Sequence, residues 1–487
     1  MKICILPLDS RPCSYDFVKA LAEINGVTAI LPPLDDMGFF RESSKHATIS
    51  RWLIENATNC DAAVISIDQL LYGGLIASRQ NLITAEEALA RLELLSKLKE
   101  KNPSLKIYAC TVLMRTTVST LNLEGKIWWE AVAQYSKYSY LVARDPSNKE
   151  NVHTLQELKD KIPKTLLDEF LAARKRNHTV NKACVELTQK GVIDYLPILQ
   201  EDCTEAGLHK IEQEHILDII RQHNLEYKVP LHNGTDEATA ELLARAVTTE
   251  PMPVNVRWLG SEQNDKFVAL FEDRPFKQNL DSHLATVNIA KDDSANTVLF
   301  IYPPKGNQAD FCTDDEAPPI TGYSPAELKS FADEISDAVK CGAKVYLLDV
   351  AFANGGDYEL LSHVAAQVDI LDLYGYSAWN TACNALGTIL SQIVLSNGQN
   401  SELNKQFTAK RILDDVIYQG IVRKSLNNEL LRIGDDPWCI QNLSQAKELL
   451  EINWELAKPQ ITTLLGENAH RFKAQLRWPR TFEVEIV

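Results

Sequence analysis

Residues 197 to 237 set the fold class, and they read PILQEDCTEAGLHKIEQEHILDIIRQHNLEYKVPLHNGTDE. An apolar run ends in Glu201-Asp202, a helical segment follows, and a second short apolar run ends in Gly234-Thr235-Asp236-Glu237. The pattern predicts two successive strand–helix units, each with adjacent acids where its strand ends. In parallel α/β proteins, ligands bind at the carboxyl ends of the strands. If the two runs are neighbouring parallel strands, the four carboxyl groups at their ends lie close together at one edge of the sheet.

The same alternation continues on both sides of this stretch. We predict further strands in the N-terminal half at Ile3–Leu8, Val27–Leu31, Ala62–Ile67, Ile107–Leu113, Tyr138–Ala143, Val192–Leu199 and Val254–Trp258. About eight such units precede Gly260, which suits a (β/α)8-like parallel barrel. Two doubly wound, Rossmann-like lobes would show the same local pattern, so both architectures stay open.

The pattern of apolar runs in the C-terminal half predicts a smaller α/β lobe, followed by helices. Its strands are predicted at Val298–Tyr302, Lys344–Val350 and Ile370–Leu373, with a polar loop or lid at 305–325. Helices follow to Leu465, and a last strand is predicted at Phe482–Ile486. We therefore divide the chain into a βα-repeat domain (1–290), a smaller α/β lobe (291–400) and a C-terminal helical segment with a terminal strand (401–487).

The net charge and the composition limit the classes of molecule that the protein could bind. A net charge of -16 disfavours nucleic acids and anionic membranes as partners. The ten cysteines form no C-x-x-C pair, and the N-terminal apolar run is too short for a signal or a membrane span. We expect a cytoplasmic protein that acts on a small molecule without a cofactor.

Six carboxyl groups follow the predicted strands. Two carboxyls a few ångströms apart are the minimum for acid/base or nucleophilic hydrolysis, because burial beside a like charge separates their protonation states. The other reading is that these acids only cap the helices that follow the strands. The six residues are Asp9, Asp68, Glu201, Asp202, Asp236 and Glu237.

Arginines, aromatic rings and amides complete the candidate site. The guanidinium fork binds carboxylates, phosphates or sugar hydroxyls, and amides beside aromatic rings suit sugar recognition. Ion pairing with the acids and core packing are the structural alternatives. The predicted binding residues besides Asp9 and Asp68 are Arg11, Tyr72, Arg79, Arg115, Asn354, Asp357, Trp379 and Asn380, and Arg144 and Arg257 follow further apolar runs.

Other catalytic motifs are missing from the sequence. It contains no nucleotide-binding glycine loop, no G-x-S-x-G elbow and no H-E-x-x-H. His178 and His232 stand alone, which is more typical of structural histidines. These absences leave the carboxylates as the main candidates for chemistry.

Seven motifs, in this order, resemble one family. They read ILPLDSRP, SIDQLLYGGLIASR, ARKRNHTVN, LQEDCTEAG, GTDEATAELLAR, DVAFANGGD and SAWNTACNALGT. Together they are similar to an uncharacterised bacterial family, domain of unknown function 4127, from residue 3 to the C-terminus. The resemblance implies a bacterial source but no established reaction, so function rests on the residues.

The leading hypothesis is a glycosidase-like hydrolase of a small carbohydrate. Its acid and its nucleophile or base would come from Asp202, Asp236 and Glu237, with Glu201 beside them. Asp68, Arg11 and Arg79 would orient the sugar, and Trp379 and Asn380 would close the site from the second lobe.

Two alternatives stay open beside it. One is a divalent-metal-dependent isomerase or phosphoryl hydrolase that holds Mg²⁺ or Mn²⁺ on Asp9, Asp68 and Asp202. The other is a small-molecule binding protein without chemistry.

Overall fold

The computed structural model describes residues 1–120, 123–260, 266–312 and 319–487, except for the side chains of Leu123 and Asn468. The strands in these residues are β1 (Lys2–Leu6), β2 (Thr28–Ile30), β3 (Ala62–Ser66), β4 (Lys106–Leu113), β5 (Ile198–Gln200), β6 (Leu231–Asn233), β7 (Met252–Trp258), β8 (Ile289–Lys291), β9 (Thr297–Tyr302), β10 (Ala309–Asp310), β11 (Lys344–Asp349), β12 (Phe352–Ala353), β13 (Gly375–Ser377), β14 (Ala474–Gln475) and β15 (Glu485–Ile486).

The helices alternate with these strands until β13 and then dominate the chain. They are α1 (Pro12–Asn25), α2 (His46–Ala57), α3 (Ile67–Tyr72), α4 (Leu75–Ser78), α5 (Ala85–Leu92), α6 (Leu94–Lys101), α7 (Leu123–Arg144), α8 (Lys149–Lys161), α9 (Lys164–Gln189), α10 (Leu208–Gln222), α11 (Ala238–Val247), α12 (Phe276–Thr286), α13 (Pro325–Lys340), α14 (Tyr358–Ala365), α15 (Ala382–Ser396), α16 (Glu402–Ile412), α17 (Arg423–Arg432), α18 (Leu443–Leu456) and α19 (Lys458–Leu465). A π-helix at Leu413–Val422 joins α16 to α17. Among the described helices, none is both long and apolar enough to cross a membrane.

Two compact units make up the chain, and both are discontinuous in sequence. The first consists of Met1–Ser10, Val27–Leu242 and Phe271–Asp273, and the second of Arg11–Gly26, Leu243–Leu270 and Arg274–Val487. The domains predicted from the sequence are contiguous.

The first unit contains a six-stranded parallel sheet in the order β2-β1-β3-β4-β5-β6. Its inner strands are continuous apolar runs, and all five residues of β3 are buried, as expected for a parallel sheet that is covered on both faces. The strand order reverses at β1, as it does in open doubly wound sheets. The strands of the described residues form no closed sheet, so the fold is α/β with parallel strands and the eight-stranded barrel is not confirmed.

The second unit contains a five-stranded parallel sheet in the order β13-β11-β9-β7-β8. Strand β7, which the sequence analysis placed in the first domain, pairs here with β8 and β9. A large apolar core includes residues of β9, β11 and α13 together with the C-terminal helices. Helix α13 begins with a capping box, in which Ser324 and Glu327 satisfy each other's backbone N–H groups.

Several predicted elements differ from the observed ones. The predicted strand Tyr138–Ala143 lies inside α7, where its aromatic residues belong to a 22-residue helix. Ile370–Leu373 begins with a 3₁₀ turn, and the strand follows at Gly375–Ser377. Part of the predicted loop at 305–325, residues 313–318, lies outside the described residues. Short apolar runs cannot be assigned by periodicity alone, and both wrong strands are of that kind.

Candidate active site

The carboxyl ends of the parallel strands in the first unit carry most of the predicted site residues. Because all six strands run the same way, the loops after them meet at one edge of the sheet. We call this edge the carboxyl edge, and it holds Asp9 after β1, Asp68 after β3, Arg115 after β4, Glu201 and Asp202 after β5, and Asp236 and Glu237 after β6.

Asp68 is buried in the first turn of α3. Ser66 caps this helix by accepting the Gln69 N–H, which places Asp68 against the neighbouring strand β4. There its Oδ2 accepts the backbone N–H of Val112 at 3.0 Å. Burial raises the pKa of Asp68 to about 7, and the negative charge of Glu201 adds to the rise. Asp68 can therefore carry a proton close to neutral pH.

Glu201 is buried and is held by two arginines. The Arg79 guanidinium forms an ion pair with Oε1, and the backbone N–H of Arg115 donates to Oε2 at 3.1 Å. Each of its two oxygens thus has a donor of its own. The Arg115 side chain pairs in turn with Asp202, whose Oδ2 lies 2.5 Å from Nη2. The structure thus brings these two predicted arginines and two predicted acids together as ion pairs.

Helix α9 supports these loops, and the sequence analysis did not include its residues in the site. Arg174 donates to the carbonyl groups of Met114 and Arg115. Asn177 donates to the Ser78 carbonyl at 2.9 Å, and Asn181 donates to the Val112 carbonyl at 3.2 Å. The spacing of 174, 177 and 181 puts them on one helix face. The polar motif ARKRNHTVN inside a helix was the available signal.

Tyr72 and Arg176 form a further contact beneath these loops. The Arg176 guanidinium carbon lies 4.3 Å from the centre of the Tyr72 ring. Burial and the charge of Asp68 raise the pKa of the Tyr72 hydroxyl. Arg144, in contrast, ends α7, is half exposed and pairs with Glu214, so it lies at no strand end.

The turn after β6 presents two buried acids. Gly234 adopts a positive φ of 96° there, and Asp236 and Glu237 follow it. Neither carboxyl oxygen of Glu237 has a hydrogen-bond partner among the described residues. Burial and the Glu241 carboxylate raise the pKa of Glu237 well above its usual range. Glu241 in α11 and His232 in β6 were not selected as site residues in the sequence analysis, and both are buried beside Glu237.

Five of the predicted binding residues belong to the second unit. Asn354 donates its backbone N–H to the Asn380 carbonyl at 2.8 Å, so these two loops meet. Asp357 caps α14 by accepting the backbone N–H groups of Glu359 and Leu360. Trp379 packs on Phe482 with ring centres 5.5 Å apart, and Arg11 lies over Trp478.

A cavity of about 390 Å³ opens in the first unit beside the loops after α4 and β4. Arg79 lies in its wall, where Nη1 donates to the Ser119 hydroxyl at 3.1 Å while Nη2 contacts Glu201. The other lining side chains mix polar and apolar groups: Arg41, Ile76, Gln80, Asn81, Leu82, Met114, Thr117, Val118, Glu124, Leu166, Glu169 and Phe170. Its volume is within the range of small-molecule sites.

Comparison with protein families matches residues 3–487 to a family described as "Protein of unknown function (DUF4127)". The chain belongs to the DUF4127 family. Comparisons of this DUF4127 chain with curated proteins and with solved structures find no match. The family description states no reaction.

The DUF4127 chain has two groups of potential metal ligands within the described part of its first unit. One consists of His232, Glu237 and Glu241, and the other of Cys203, His209 and Asp273. Neither group contains Asp9, Asp68 or Asp202, so the oxygen-only set that the sequence suggested for Mg²⁺ or Mn²⁺ is not assembled.

Proposed function

We propose that this chain is a glycosidase-like hydrolase of a small carbohydrate, with Asp68 as the acid and Glu201 as the ionised carboxylate. The observation that carries the proposal is the difference between their environments. Asp68 has a pKa raised to about 7, whereas Glu201 is ion-paired with Arg79. Two neighbouring carboxyls whose environments favour different protonation states supply the acid and the nucleophile or base of glycoside hydrolysis.

The backbone of β4 relates the two carboxyls to each other. Strand β4 lies between β3 and β5, and its Val112 donates its N–H to Asp68. Arg115, just after the end of β4, donates its N–H to Glu201. Three residues of extended chain span at most about 10 Å, so these two N–H groups lie within roughly that distance. The two carboxyls are near enough for the charge of Glu201 to raise the pKa of Asp68.

The cavity beside Arg79 supports a small, neutral sugar as the substrate. Its wall combines hydroxyl, amide and charged groups with apolar side chains, which suits the hydroxyls and C–H faces of a sugar ring. The Arg79 and Arg115 side chains are already paired with Glu201 and Asp202. Their positive charge is thereby balanced, so these two residues favour a neutral substrate over an acidic one.

Asp202, Asp236 and Glu237, the pair members favoured from the sequence, fit the acid/base roles less well. Asp202 is paired with Arg115, and its side chain is 34% exposed. Asp236 and Glu237 lie after β6, the edge strand, with β5 as their neighbour. We therefore assign the role of the general acid to Asp68 rather than to a residue of the turn after β6.

The test is turnover of a panel of nitrophenyl glycosides by the wild type, Asp68→Asn and Glu201→Gln. We expect turnover by the wild type and a loss of about 100-fold or more in each variant, because acid/base groups contribute about 10²–10⁴-fold. Asp194→Asn is the matched control, since Asp194 accepts the Ile107 N–H near the start of β4, at the opposite edge of the sheet. Binding of a sugar without turnover would instead favour a binding protein. Equal turnover by all variants would contradict the assigned pair.

A further inference from the structure

We propose that His232, Glu237 and Glu241 bind a divalent transition-metal ion. One nitrogen or oxygen atom from each side chain lies within 4.8 Å of the corresponding atoms of the other two, and all three side chains are buried. Ligands of a zinc ion lie about 2.0–2.2 Å from the metal, so small side-chain movements would close the three onto one ion.

Glu237 is the side chain that indicates a ligand. It is only 2% exposed, and neither of its carboxyl oxygens has a hydrogen-bond partner among the described residues. A buried carboxylate without a partner is strongly unfavourable, and a bound cation removes that penalty. Its position four residues before Glu241 brings both acids to the same side of the start of α11.

His232 is oriented as a metal ligand. Its Nδ1 lies 2.9 Å from the backbone carbonyl oxygen of Asn233. A carbonyl oxygen only accepts, so Nδ1 carries the proton and Nε2 of the neutral ring carries the lone pair. Nε2 lies 4.0 Å from Oε2 of Glu241. Metal-binding histidines are commonly fixed by such a bond from the other ring nitrogen.

The chemistry of the three groups selects the class of ion. One imidazole nitrogen disfavours Mg²⁺ and Ca²⁺, and the two carboxylates favour Zn²⁺ or Mn²⁺ over softer ions. The two negative charges also balance a divalent cation in a buried site.

The second group of potential ligands, Cys203, His209 and Asp273, serves as an internal contrast. Its carboxylate already binds a cation, because Lys210 Nζ lies 2.7 Å from Oδ2 of Asp273. Gln213 donates to the same oxygen at 2.8 Å. An ammonium group at this position repels a metal ion, so we assign no metal to this group.

The experiment measures Zn²⁺ and Mn²⁺ binding by calorimetry to protein that has been treated with chelator and dialysed. We expect one ion per chain for the wild type and for the control His209→Gln. Glu237→Gln and His232→Gln should bind the ion at least about 100-fold more weakly. Loss of a residue that only supports a ligand lowers metal affinity about 10–100-fold, and these variants remove a ligand itself. The proposal is overturned if the wild type binds neither ion, or if Glu237→Gln binds as the wild type does.

A second measurement needs no variant and covers the case in which the variants do not fold. The absorption spectrum of the Co²⁺-loaded wild type should show d–d bands without a thiolate-to-cobalt charge-transfer band. Such a band would place the ion at Cys203 and overturn the assignment. Both readouts are independent of turnover, so failure of the metal site and failure of the proposed hydrolase activity can be distinguished.

Discussion

The Oδ2 atom of Asp68 accepts the backbone N–H of Val112 at 3.0 Å, which fastens the start of α3 to the end of β4. The carboxyl group is buried, and its pKa rises to about 7 chiefly because burial disfavours the charged form. This contact makes Asp68 both a structural link between two elements and a group that titrates near neutral pH.

Asp68→Asn should change how the stability of the protein depends on pH. The folded state holds the Asp68 proton up to about pH 7, whereas the unfolded chain loses it near the ordinary aspartate pKa of 3.8. The folded state thus binds more protons between these values, so the Asp68 contribution to stability falls as pH rises from about 4 to 7. The asparagine variant lacks this decline, which amounts to up to about 4 kcal/mol.

Urea unfolding of both proteins at several pH values measures the effect. The difference in unfolding free energy between variant and wild type should shift in favour of the variant from pH 4 to pH 7 and stay constant above pH 8. A difference that does not depend on pH would contradict the protonated state of Asp68.

Glu201→Gln should strongly destabilise the protein. It leaves Arg79, whose side chain is 12% exposed, without the carboxylate that balances its charge. Removing one partner of a buried ion pair costs about 3–5 kcal/mol. Arg79→Met and the double variant complete a double-mutant cycle, and the double variant should be more stable than the sum of the single losses implies.

An exposed pair provides the control for this cycle. Arg221 and Asp218 lie 3.2 Å apart, and both side chains are 62% exposed. Asp218→Asn should cost less than about 1 kcal/mol. Similar losses at the two sites would show that Arg79 and Glu201 are solvated in solution.

Much of the carboxyl edge could be predicted from the sequence. A continuous apolar run that ends in an acid, as at Asp68 and at Glu201, indicates a buried parallel strand and the edge where it ends. The order of the strands could not be predicted, because β1 lies between β2 and β3 through contacts that local pattern does not encode. Tyr138–Ala143 was assigned wrongly for a related reason, since six residues that are apolar except for Ser139 fit a helix face as well as a strand.

The partners of the charged side chains could not be predicted from the sequence either. Arg79 and Glu201 are 122 positions apart and form an ion pair only through the fold. His232 was set aside as isolated, although Glu237 and Glu241 follow it five and nine positions later. That spacing brings the three together only because Gly234 turns the chain between β6 and α11.

Gly73→Ala should destabilise the protein more than Gly191→Ala does. Both glycines follow a helix and have positive φ, 88° for Gly73 and 74° for Gly191, so alanine costs roughly 1–2 kcal/mol at either position. A Cβ at Gly73 would also lie 2.5 Å from the backbone nitrogen of Ser44, whereas at Gly191 no described atom lies within 4 Å. The clash should add about 1–3 kcal/mol at Gly73. Thermal unfolding of both variants gives the comparison, and equal losses would contradict the close approach of Ser44.

Arg411→Met should destabilise the second unit, and more so at high pH. Arg411 donates to Asp414 at 2.8 Å and to Asp415 at 2.9 Å, and all three side chains are buried. Burial raises the pKa of Asp415 to about 7, while Arg411 lowers it. Without the guanidinium the pKa of the folded state rises further, so the folded variant retains protons to a higher pH and its stability falls over a wider range.

We expect the loss for Arg411→Met to reach about 3–5 kcal/mol at pH 8 and to be clearly smaller at pH 5, because protonated carboxyls need no counter-charge. Chemical unfolding of wild type and variant at both pH values measures it. Arg432→Met serves as the control, since Arg432 is exposed at the end of α17 and its replacement should have little effect at either pH. A loss that is equal at pH 5 and pH 8 would mean that Arg411 acts through packing alone, including its stacking on Phe17 at 3.7 Å, rather than through charge.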